Sequence, residues 1–200
     1  VLIGCEAAAG EPYMPYLLYN DLRSTINLRF GSPVPAYAYV HHEYVNNFMG
    51  NQNGIRHFVD HDKSTHDMLQ RYAYAFVAGD MFTVILKDGG KLHWEWGMSW
   101  DQPAPDQASV TKLIANLNPW RKGVAKDYGR MEKPYGITGD YEIPMITTKD
   151  AKLYFRSVFT SKWSYGGKSA QVLVNYTEEA QTVTLDCKEL AGAEAVVYND

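Results

Sequence analysis

The sequence predicts an α/β protein: a few strands of a parallel sheet with their crossover helices, then a small all-strand module. Two observations predict this. Up to about residue 140, short continuous apolar runs alternate with stretches whose apolar residues recur at helical spacing. That is the pattern of buried parallel strands joined by helices. Beyond it the apolar period falls to two, as in antiparallel strands with one face on a core.

The elements follow in order. Residues 1–5 (VLIGC) form a continuous apolar run and are expected as a buried strand that ends at Glu6. Ala7 to Pro12 starts a loop, and a short helix is expected over 13–22. Gly31-Ser32-Pro33 carries turn chemistry. It precedes a second strand over 34–40 (VPAYAYV), which ends at His41-His42-Glu43. After a polar stretch, Ser64-x-x-Asp67 has the form of a capping box. It opens a helix over 65–78 with Met68, Leu69, Tyr72, Phe76 and Val77 on one stripe and Gly79 as C-cap. Residues 81–86 (MFTVIL) read as a third buried strand, turned by Lys87-Asp88-Gly89-Gly90. From Pro103 to Tyr128, Val110, Leu113, Ile114, Leu117, Val124, Ala125 and Tyr128 fall near one helical face. Asn118-Pro119 is expected to break or kink this stretch, with Pro119 as first residue of a second helix, and Gly129 to end it. Strands are then expected over 152–159, 170–176, 181–186 and 194–198, in a small antiparallel sheet or sandwich.

Composition narrows the function classes. The chain has 200 residues, net charge −4 and no basic patch, so nucleic acid is not an expected partner. No apolar run approaches the roughly 20 residues of a membrane span. Cys5 and Cys187 lie far apart and suggest no disulfide framework, which leaves the compartment open. No phosphate-cradling Gly-rich loop, Gly-x-Ser-x-Gly elbow or metal-spaced Cys pair is present. Hydride transfer, phosphoryl transfer and serine hydrolysis lose support, and no cofactor is expected. Aromatic residues make up 14% of the chain, which suits large cores and also sites that stack flat faces on sugars or bases. The chain has no initiator Met, starts in a strand-like run and stops in another, and three parallel strands make a poor layer alone. A piece of a longer protein is the expectation.

Several stretches together resemble the C-terminal part of a TIM-barrel glycoside hydrolase. They are Gly4-Cys5-Glu6 with Glu11-Pro12-Tyr13 after it, His42-Glu43-Tyr44, the helix closing in Ala78-Gly79-Asp80, and a final helix running to Tyr128-Gly129-Arg130-Met131. The tail with Val172-Leu173-Val174-Asn175-Tyr176-Thr177 is similar to the β-sandwich that such enzymes carry after the barrel. The nearest group is a set of bacterial glycosidases that share a domain of unknown function. The resemblance implies a partial (β/α)8 barrel, about its last three β/α units, over residues 1–140. It implies a β-sandwich domain over 141–200, and five barrel strands upstream.

Parallel barrels carry their reactive groups at the C-terminal ends of the strands. Glu6 and Glu43 are expected there, and the resemblance maps them to the sixth and seventh strands. Glycoside hydrolysis needs two carboxyl groups; Glu6 and Glu43 are expected to line the site with at least one of them catalytic, and a partner on the fourth strand would lie upstream. Their roles and the anomeric outcome stay open, because carboxylates on neighbouring strand tips reach either the retaining or the inverting separation. The competing reading is two strand-end carboxylates that pair with a barrel Arg or Lys. His41 or His42 is expected to face the site and bind a sugar hydroxyl or orient the Glu43 carboxylate, or else to be a structural histidine. Tyr44 and Glu11 complete the strand-end candidates for substrate binding, with a loop role as the rival for Glu11. Trp94, Trp96 and Trp100 follow the third strand with Glu95 and Asp101 among them, a composition suited to sugar stacking or to core packing.

His57-x-x-x-His61, with His66, Asp60 and Asp62, suggests a metal site only weakly: it has no apolar stripe and no third ligand at a known spacing. No metal is expected. The expected function is hydrolysis of O-glycosidic bonds in a carbohydrate substrate. The alternatives are a non-catalytic carbohydrate-binding or scaffolding barrel, and a barrel enzyme of other chemistry such as a lyase or transglycosylase.

Overall fold

The computed structural model describes residues 3–6, 11–21, 40–41, 44–48, 66–93, 107–122, 130–133, 138–142, 154–165, 168–177, 179–185 and 191–192. Three short strands open the fold: β1 (Gly4–Glu6), β2 (Tyr19–Asp21) and β3 (Asn46–Phe48). They form one parallel sheet in the order β1-β2-β3. Met81 extends it through a parallel bridge to Phe48, and its N–H donates to the Asn47 carbonyl at 2.6 Å. Spatial order therefore follows chain order across four positions, with no reversal.

The strands differ from the expected ones in three places. Tyr19–Asp21 is a strand where a helix is expected, and only Glu11–Tyr16 before it is helical, as a 3-10 turn. Val40 and His41 are helical, not the end of a strand; the His41 carbonyl accepts from the Tyr44 and Val45 N–H groups at 3.0 and 3.3 Å. Residues 34–39 lie outside the described residues. In the run 81–86 only Met81 joins the parallel sheet. Ile85–Lys87 (β4) instead pairs antiparallel with Lys91–His93 (β5), and Val84 and Leu86 are exposed. The glycine pair 89–90 turns the chain back before the apolar run can be covered.

Helix α1 (His66–Ala78) carries the apolar stripe expected of it and ends as expected. Gly79 has φ 80°, its N–H donates to the Phe76 carbonyl at 3.1 Å, and the Asp80 N–H donates to the Ala75 carbonyl at 2.8 Å. These are the two bonds of a Schellman C-cap, whose left-handed residue favours glycine. Gly79→Ala is expected to lower stability by about 1 kcal/mol, read as a shift in denaturation midpoint with an unchanged slope. Ser64, the expected N-cap, lies outside the described residues.

Every residue from Leu69 to Ala78 is buried, Gln70 and Arg71 included. A helix buried all round needs partners on several sides. α1 packs against α2 (Gln107–Lys122) and against β8 (Tyr154–Tyr165) and β9 (Lys168–Asn175) of the antiparallel sheet. Tyr74 meets Phe159 edge-to-face at 5.8 Å, and Phe159 stacks on Tyr176 at 5.5 Å. Tyr72 meets Phe82 at 5.2 Å and donates its hydroxyl to the Thr83 carbonyl at 2.9 Å.

α2 turns Val110 and Leu117 into the core, with Leu113 and Ile114 packed beside them. It does not break at Pro119 but runs on to Lys122. The bond that proline removes belongs to the Ala115 carbonyl, and both residues sit on the exposed side, where water replaces the missing donor. Gln107, at the helix start, accepts from the Leu92 N–H at 3.0 Å and so ties the β4–β5 hairpin to α2.

The antiparallel sheet is built on β8. β9 lies along one side of it, in register from Val158↔Asn175 to Tyr165↔Lys168. β6 (Arg130–Lys133) and β7 (Thr138–Glu142) share the other side, β7 on the first half of β8 and β6 on the second. Arg130 and Met131 are thus strand residues, not the end of a helix, and the antiparallel sheet starts ahead of the boundary expected at 140/141. Gln181 to Leu185 has the alternating pattern but pairs with no strand among the described residues. Residues 194–198 and the Gly166-Gly167 turn lie outside the described residues.

Candidate functional site

The pleat of the parallel sheet sorts its residues into rows. Cys5, Asn20 and Asn47 form the middle row. Asn20 and Asn47 are buried, and the Asn20 amide donates to Asn47 Oδ1 at 3.5 Å. Two of the three side chains in this row are thus buried, and Cys5 is half-buried. The two rows beside it share the opposite face. They are Gly4, Tyr19 and Asn46 at the N-terminal end of the strands, and Glu6, Asp21 and Phe48 at the C-terminal end.

That second face is partly open and aromatic. Tyr19 is exposed, and its ring meets Phe48 edge-to-face at 5.5 Å. The ring lies directly over Gly4: a Cβ built there would collide with three carbons of the Tyr19 ring. Glycine at position 4 is what allows the phenol to lie flat on the sheet. The C-terminal edge therefore presents two acidic positions beside a T-shaped aromatic pair. Ring faces suit the C–H face of a sugar, and carboxylates accept from its hydroxyl groups.

The expected site residues divide as follows. Glu6 ends β1, at the C-terminal end of a parallel strand. Glu11 opens the 3-10 turn that follows. His41 is half-buried in the helical turn ahead of β3, and Tyr44, 72% exposed, follows it. Both precede Asn46, the first residue of β3, and the N–H of Asn46 donates to the Leu18 carbonyl just ahead of β2. The expectation that His41 and Tyr44 follow a strand into the C-terminal rim is thus corrected: they stand at the N-terminal end of the sheet. His42, Glu43, Trp94, Trp96 and Trp100 lie outside the described residues, as do His57, Asp60, His61 and Asp62. Among the described residues no group of three or more His, Cys, Asp or Glu is placed to hold a metal ion. Among them, too, no helix is long and apolar enough to cross a membrane.

Several residues at the edge of this picture were missed. Asp21 and Phe48 belong to short strands whose sequences, Tyr-Asn-Asp and Asn-Asn-Phe, have no apolar period. Tyr16, with Tyr13, is exposed on the 3-10 turn. Side chains three apart eclipse in such a turn, so the two phenols fall on one line. The repeat Pro-Tyr-Met-Pro-Tyr was the available signal, with a proline before each tyrosine fixing the backbone.

No family model matches the chain, and neither a curated protein nor a solved structure matches it.

Proposed function

We propose that the chain is part of the barrel of a glycoside hydrolase, with Glu6 as one of its two catalytic carboxyl groups. The carrying observation is the position of Glu6: the last residue of a parallel strand, in the row of Phe48 and on the face of Tyr19. Sequential order across β1, β2, β3 and Met81 supports the reading, because a barrel arc keeps chain order while doubly wound sheets reverse it. The sequence resemblance supports it independently. The partial barrel and the strand-rich domain after it stand as part of the same proposal, as do sugar contacts by His42, Glu11 and the three tryptophans. Glu43, the sequence's candidate for the second carboxyl group, is tested beside Glu6.

The test is turnover of a panel of nitrophenyl glycosides by the full-length protein. Glu6→Gln is expected to lower kcat/KM by about 10²- to 10⁴-fold on the substrate that the wild type cleaves. Wild-type kinetics in that variant would remove Glu6 from the chemistry. A second reading, carbohydrate binding without turnover, draws on the exposed line of Tyr13 and Tyr16. Binding to a glycan array with no product from any member would favour it.

A further inference from the structure

We infer that Gly4 and Tyr19 form a platform for one pyranose ring: Tyr19 binds it, and Gly4 positions Tyr19. The inference rests on the carbohydrate reading, catalytic or not, and adds a binding subsite to it. Position 4 carries it first. A glycine inside a strand costs backbone entropy and packs no side chain. The backbone of Gly4 does not call for glycine, because it is a strand residue without the positive φ of Gly79 or Gly89. What calls for it is the ring of Tyr19, its Cα partner on β2, with which any Cβ at position 4 collides. A strand glycine of this kind marks a place where another group comes close to the sheet.

The ring is presented, not packed away. Its near face covers Gly4, and Phe48 meets it at an interplanar angle of 88°. Tyr19 is still 40% exposed, which leaves its far face open. Held on two sides, the ring is a flat surface that loses little freedom when a ligand binds. Asn46, the Cα partner of Tyr19 on β3, is exposed beside it. Its amide nitrogen donates to the Leu18 carbonyl at 3.1 Å, which leaves Oδ1 to accept from a hydroxyl group. The ligand that fits has one flat C–H face and hydroxyl groups on its rim, as a pyranose does. A purely aromatic ligand would stack on the ring and leave Asn46 idle.

The experiment is saturation-transfer NMR on the full-length protein. The probes are the methyl pyranosides of glucose, galactose, mannose, xylose and N-acetylglucosamine, with nitrophenol as the aromatic control. A glycoside is expected to take saturation on the axial protons of one ring face. Its affinity is expected to fall about tenfold in Tyr19→Ala and in Gly4→Ala, and to stay within about twofold in Tyr19→Phe, which keeps the ring. Gly4→Ala only displaces the ring, so it serves even where Tyr19→Ala does not fold. A merely structural glycine would lower the denaturation midpoint in that variant and leave the affinity alone. Wild-type affinity in folded Tyr19→Ala or Gly4→Ala, or saturation of nitrophenol and of no glycoside, overturns the platform. In that case turnover of a nitrophenyl glycoside by the wild type, lost in Glu6→Gln, leaves the glycosidase reading standing. A wild type that neither binds nor turns over any of these sugars overturns both.

Discussion

Phe159→Ala should lower stability by about 3–5 kcal/mol, the largest loss expected from a single truncation in the described core. Phe159 is 1% exposed and sits between two aromatic partners on different elements, Tyr74 of α1 and Tyr176 after β9. Removing the ring deletes its transfer energy and both aromatic contacts. The cavity cannot close easily, because β8 is fixed by ladders on both sides and α1 is buried all round. In a chain of this length the loss reads as a fall in Tm on the order of 10 °C or more. Phe159→Leu, which keeps most of the volume, should recover more than half of it. Equal losses in the two variants would mean that the aromatic contacts, not the cavity, set the cost.

The second large effect is an alkaline one. Burial pushes the Tyr72 hydroxyl up from 10.0 to about 12, against a smaller opposing pull from the Arg71 charge. The phenol is 1% exposed and donates to the Thr83 carbonyl, a bond that the phenolate cannot make. The native state therefore holds its proton where the unfolded chain gives it up. The stabilising difference is complete below about pH 10 and is lost as pH rises to about 12. Two pH units correspond to about 3 kcal/mol. Tyr72→Phe removes this dependence, since phenylalanine has nothing to titrate. Denaturation at a series of pH values should show the wild type losing stability relative to Tyr72→Phe across that window. Parallel curves would mean that the hydroxyl reaches water in the native state.

Some of this fold was legible in the sequence and some was not, for physical reasons. α1 was legible because its stripe has the helical period and Gly79 has the chemistry of a C-cap. What the stripe could not reveal is that Gln70 and Arg71 are buried as well, since that depends on elements far along the chain. β8 and β9 were legible from the alternation in Tyr154 to Phe159 and Ala170 to Tyr176. β6 and β7, Arg-Met-Glu-Lys and Thr-Gly-Asp-Tyr-Glu, were not, because they take their strand form from the β8 edge and not from their own apolar pattern. The reverse error occurred at Gln181 to Leu185. That run alternates, yet Gln181 accepts from the Ser157 hydroxyl at 3.0 Å, and the segment joins no ladder among the described residues.

Of the two acidic positions at the C-terminal edge of the parallel sheet, one was legible. Glu6 stood out because a carboxylate closes a short apolar run. Asp21 did not, because β2 is three residues long and polar at two of them. A strand that short has no period, and only its register against β1 and β3 makes it a strand at all.

α1 has a bearing on how such a chain can be rearranged. Its residues are hidden partly by its own neighbours and partly by β8 and β9, so it is shared masonry between two rooms. Cloning the first part of the chain without the antiparallel sheet would lay bare Tyr74 and its surroundings, and the product should precipitate. A recombination point placed between the two sheets would fail for the same reason, unless the incoming module brought its own counterpart to Phe159.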